Sequence, residues 1–102
     1  MVDFQQRDDI EKVVSLLERA KAFVSGDNHK YFLAHNELTH VLRLVSDMTY
    51  LQERDYVIKE VAYMLGFLAD KMKYKGYVVV GTKYESTIEQ LQQYFIDLAN
   101  NN

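Results

Sequence analysis

The 102-residue chain is 48% apolar and 26% charged, which fits one globular domain over 1–102 and excludes a disordered chain. Twelve basic residues against fifteen acidic ones leave a net charge of -3, so no cationic field attracts nucleic acid or an anionic membrane. With no cysteine there is neither a disulfide nor a thiolate zinc site, and with no proline the strongest helix breaker is missing.

The opening "MVDFQQRDDIEK" is charged and lacks the apolar centre of a secretory leader. The first predicted helix runs from Asp8 or Asp9 to Ser25, with Asp8 and Glu11 at capping-box spacing. Ile10, Val13, Val14, Leu17, Ala20 and Val24 form its apolar stripe. Gly26 suits the left-handed position after a helix, and Asp27 or Asn28 is the next N-cap.

A second helix is predicted from His29 to about Asp47. Tyr31, Ala34, Leu38, Val41, Val45 and Met48 recur in steps of three and four, and Leu42 and Leu44 widen that seam. The third helix begins at Asp47 or Asp55 and runs to Lys75, with Gly76 as its stop. The lysines at 71, 73 and 75 suit the negative end of its dipole.

"YVVVGT", 77–82, reads as an extended segment by its three valines. It is either a connector packed on the bundle, the favoured reading, or an edge paired with its copy in a second subunit. The last helix is predicted from Ser86, where Ser86 and Glu89 have capping-box spacing, and Ile88, Leu91, Phe95 and Leu98 are its stripe. The fold class expected is all-α: a compact four-helix bundle, with the second and third helices as a central hairpin flanked by the first and fourth.

The third helix is apolar on two sides. At about 100° per residue, Ile58, Val61, Leu65, Leu68 and Met72 gather roughly 160° from Tyr56. Tyr63, Phe67 and Tyr74 fall within about 20° of Tyr56 itself. The aliphatic side is assigned to the core, with Leu65→Ala expected to cost about 2–5 kcal/mol. An uncovered stripe of four rings is a patch on the order of several hundred Å², which monomers seldom carry without a function. Its cover is the chain's own last helix or "YVVV" segment, a second copy, or a different protein.

Tests for chemistry come out empty. His29, His35 and His40 are spaced six and five apart, not the three or four that lets one helix chelate an ion. Glu37 with His40 is an ordinary surface spacing. Asp8, Asp9, Glu85 and Glu89 sit where negative charge favours a helix start. Phosphate loop, nucleophile elbow and H-E-x-x-H are all missing. One stretch mixes lysines and rings, a pattern suited to single-stranded nucleic acid: Lys73, Lys75, Tyr77, Lys83 and Tyr84.

The functional expectation is therefore a cytoplasmic, non-catalytic protein without a cofactor, metal or small-molecule substrate. It binds another protein or its own copy, as a homodimer, through Tyr56, Tyr63, Phe67 and Tyr74 with Glu60 and Lys71 at the rim. The alternative is a nucleic-acid accessory protein using the lysine and ring patch.

Overall fold

A computed structural model of the chain describes residues 3–25, 29–73 and 82–100. They form a four-helix bundle: α1 Phe4–Val24, α2 Tyr31–Ser46, α3 Arg54–Lys73 and α4 Thr82–Asn100. No strand occurs among the described residues. Of the segment expected to be extended, 77–81 lies outside them, and Thr82 already belongs to α4.

The helix starts differ from expectation for local reasons. Asp3, not Asp8, caps α1: its carboxylate accepts from the Gln6 N–H at 2.8 Å, and Gln6 Oε1 accepts from the Asp3 N–H at 3.0 Å. This pair has the same spacing as Asp8 and Glu11 but satisfies free N–H groups one turn earlier. Ser86 likewise caps nothing, because it sits inside α4 and its hydroxyl donates to the Lys83 carbonyl at 3.2 Å. Tyr84 is buried ahead of it, so the chain enters the core already helical. Lys30 precedes α2 and donates its N–H to the Phe23 carbonyl at 2.9 Å, closing the end of α1. His29 beside it takes a left-handed φ of 49°, a region histidine visits more readily than most residues. The expected caps Asp27 and Asn28 and the stop residues Gly26 and Gly76 lie outside the described residues.

The order of packing departs from a central α2–α3 hairpin. The central pair is α1 and α2, with α4 laid on α1 and α3 laid on α2, while the backbones of α3 and α4 run further apart and meet through side chains. The cause is the width of the α1 stripe. Ile10, Val13, Leu16, Leu17, Ala20 and Val24 are all buried, and the adjacent Leu16 and Leu17 spread the apolar face over two neighbours. Val14, expected in that stripe, is half-buried. On α2 the expected Ala34, Leu38, Val41, Val45 and Met48 are buried, and Tyr31, Leu42 and Leu44 pack around them.

Polar contacts fix the antiparallel register of α1 and α4. Tyr84 Oη donates to the Ala20 carbonyl at 3.0 Å, and Gln92 Nε2 donates to the Val14 carbonyl at 3.3 Å and to Glu18 Oε2 at 3.0 Å. Arg7 Nη2 donates to the Ala99 carbonyl at 3.1 Å, at the far end of α4. The Gln92 amide, helped by the nearby Lys21 ammonium, holds the Glu18 carboxyl below its usual range. Between α1 and α2, Arg19 pairs with Glu37 at 3.3 Å, so Glu37 faces α1 rather than serving His40.

Gly66 lies in the middle of α3 on its exposed side, and a Cβ built there meets nothing among the described residues within 4 Å. A mid-helix glycine costs backbone entropy that alanine does not. Gly66→Ala is therefore expected to stabilise the subunit by about 0.5–1 kcal/mol, read as a shift in the urea midpoint. An unchanged or lower midpoint contradicts this.

Candidate functional site

The position of α3 determines where its rings stand. Its buried residues are Val57, Val61, Met64 and Leu68, a row in steps of four, three and four. Val61 and Leu68 are where the sequence pattern puts them. Ile58, Leu65 and Met72 are only half-buried, and Val57 and Met64 take their place in the core. The core direction is thereby turned to roughly 110° from the ring stripe, not to the opposite side. The helix is not sandwiched between two covers. Its rings flank the core and stand along the seam with α4.

That seam is closed at one end. The Phe67 ring stacks on Tyr84 with centroids 5.7 Å apart and planes 25° from parallel. Lys71 Nζ lies 5.0 Å above the Phe67 ring, and Lys83 Nζ lies 4.5 Å above the Tyr63 ring. In both, the ammonium meets a ring face as a cation–π contact. Towards the other end α3 and α4 leave a groove of about 250 Å³, lined by Glu53, Tyr56, Thr87, Gln90, Leu91 and Tyr94. Tyr56 is 50% exposed and Tyr63 41%, both high for rings of their size, and Phe67 is half-buried.

At the base of the seam, burial pushes the Tyr94 hydroxyl up, partly offset by a hydrogen bond with the Glu53 backbone. Tyr50 beside it is pushed up to about 12, chiefly by burial and then by the carboxylates of Asp9 and Asp3. Its hydroxyl is buried without a hydrogen-bond partner among the described residues. Neither phenol therefore works as an acid or base near neutral pH.

Of the expected docking residues, Tyr56, Tyr63, Phe67, Glu60 and Lys71 share one side of α3, and Tyr74 lies outside the described residues. Glu60 is half-buried and Lys71 is at the rim over Phe67. Of the lysine and ring patch, only Lys73, Lys83 and Tyr84 are among the described residues. Tyr84 is only 1% exposed, so no base can stack on it, because its ring completes the α1–α4 core and its hydroxyl is bound to Ala20. Lys83 is engaged over Tyr63, Lys73 is exposed at the end of α3, and Lys75 and Tyr77 lie outside the described residues.

Thr87 and Tyr94, absent from the expected site, line the seam, and Leu91 of the α4 stripe borders it as well. Their signal is visible in the sequence: with Tyr84 they recur in steps of three, four and three along α4, beside the row of Ile88, Leu91 and Phe95. No group of three or more His, Asp or Glu able to hold a metal occurs among the described residues. His29 Nδ1 lies 3.1 Å from Tyr31 Oη, and His40 borders Arg19 and Glu37 on the α1–α2 flank. No helix among the described residues is long and apolar enough to cross a membrane.

The fold and the seam define a class: a four-helix bundle with one seam left open and lined by rings. Comparison of the chain with protein-family models, with curated proteins and with solved structures finds no match.

Proposed function

We propose that the chain is a small non-catalytic, regulatory protein that works by binding protein surfaces through the ring-bearing side of α3 and its open seam with α4. The observation that supports this best is that α3 and α4 meet through side chains at one end only, leaving a groove of about 250 Å³ at the other, with Tyr56 and Tyr63 largely exposed along the seam. Large rings at a concave apolar site are the usual anchors of protein interfaces, since they bury much area at low entropic cost. Glu53, Glu60, Lys71 and Lys83 around it supply both signs of charge and favour one orientation of a partner. Lack of cysteine is the support for a cytoplasmic location. The burial of Tyr84 takes one of the two rings of the nucleic-acid alternative out of reach of a base, which favours the protein-binding reading over it.

Affinity capture from host extract tests this reading, with the wild-type chain compared with a Tyr56→Ser, Tyr63→Ser chain. Both positions are exposed, so the variant is expected to keep its helicity by circular dichroism. Proteins held by the wild type in both low and high salt should be lost from the variant. Equal retention by the two chains, or retention only of nucleic acid that washes off with salt, overturns the proposal.

A further inference from the structure

We propose that the outward side of α3 is a self-complementary contact, on which two copies pair antiparallel about a two-fold axis between positions 65 and 64. The contact rests on the protein-binding reading above and names the partner as a second copy of the chain. Four exposed residues carry it: Lys59, Tyr63, Gly66 and Asp70. They follow one another in steps of four, three and four, so they form one row of about 16 Å along the helix. The spacing reads the same from either end.

The chemistry is complementary end to end. In an antiparallel pair centred on this row, Lys59 of each copy meets Asp70 of the other, and Tyr63 of each copy meets Gly66 of the other. A two-fold axis makes each contact twice. A parallel pair in register sets Lys59 on Lys59 and Asp70 on Asp70, so charge selects the antiparallel arrangement.

Gly66 is an independent observation in favour. Its place in mid-helix weakens α3, no positive φ requires it, and no neighbour among the described residues needs the space. A ring from a second copy does need it. Tyr63 has one face under Lys83 and is 41% exposed, leaving ring surface to pack into such a hollow. Ala62 and Ala69 flank the row, exposed and small, and let the two backbones approach. A contact of three to four turns falls below about 1,200 Å² in total, so a micromolar dissociation constant is expected.

Charge reversal with mixing tests the pairing. By sedimentation equilibrium between about 10 and 500 µM, a range set by the micromolar expectation, the wild-type chain should dimerise. Lys59→Glu alone and Asp70→Lys alone should each weaken the dimer about tenfold or more, since each reversal sets two like charges against each other. Both side chains are exposed, so the reversed chains should keep wild-type helicity. An equimolar mixture of the two reversed chains should recover wild-type dimerisation, because every contact in that heterodimer is again between opposite charges. A monomeric wild type, reversed chains that dimerise as well as wild type, or a mixture that stays monomeric would each overturn the pairing. A monomeric wild type leaves capture of other proteins through Tyr56 and Tyr63 standing, so the two proposals fail separately.

Discussion

Tyr84→Ala is expected to lower folding stability by about 3–5 kcal/mol, the range for removing a fully buried ring. Tyr84 is 1% exposed, stacks on Phe67 at 5.7 Å and donates to the Ala20 carbonyl at 3.0 Å. Its removal leaves a cavity where α1, α3 and the first turns of α4 meet. Single domains have only about 5–15 kcal/mol of stability, so the variant should melt at far lower urea with an unchanged slope. Tyr84→Phe keeps the ring and should cost only about 1 kcal/mol, the net value of one hydrogen bond. Leu65→Ala, once assigned to the core, should fall below the 2–5 kcal/mol of a buried leucine, because Leu65 is half-buried. If Leu65→Ala proves as costly as Tyr84→Ala, the packing of α3 is misassigned.

Stability should stay level from neutral pH to about pH 10, the unfolded tyrosine value, and fall steeply above it. Burial raises the Tyr84 hydroxyl and holds Tyr50 at about 12, so the folded chain keeps both phenols protonated where the unfolded chain ionises them. Above pH 10 the unfolded state binds fewer protons than the native state, which makes the slope of stability negative. The stabilising contribution is whole below the unfolded value and is lost as pH climbs towards the folded one. For a buried and a half-buried phenol together the loss by pH 12 is on the order of 2–4 kcal/mol. Urea melts at stepped pH measure it, and tyrosinate absorbance should rise for these two rings only as the chain unfolds. A Tyr84→Phe chain with the same alkaline slope as wild type would remove Tyr84 from this account.

Much of the fold can be read along the chain, because helical periodicity is local. Ala34, Leu38, Val41, Val45 and Met48 are buried as their spacing requires, as are Ile88, Leu91 and Phe95. Periodicity fails where two apolar rows run side by side. On α3, Ile58, Leu65 and Met72 compete with Val57 and Met64 for the core, and only contact with α2 decides between them. Tyr84 misleads for another reason. It lies between Lys83 and Glu85, yet a ring buried against α1 cannot be told from an exposed one by its neighbours in sequence. Capping signals mislead because several Asp or Ser pairs have the right spacing. The outermost pair of α1, Asp3 with Gln6, is the one whose N–H groups would otherwise go unbonded.

The sequence alone determined that this is an all-α bundle of four helices and that Tyr56, Tyr63 and Phe67 share one side of the third. Both follow from the 3.6-residue repeat, which needs no distant contact. Only the tertiary structure decided that α1 and α2 are the centre, and that those rings line a seam with α4 that is closed at Phe67 and open at Tyr56, rather than a second core. The choice of neighbour depends on how wide each apolar face is once folded against another, and that width is set by side chains far apart in the chain.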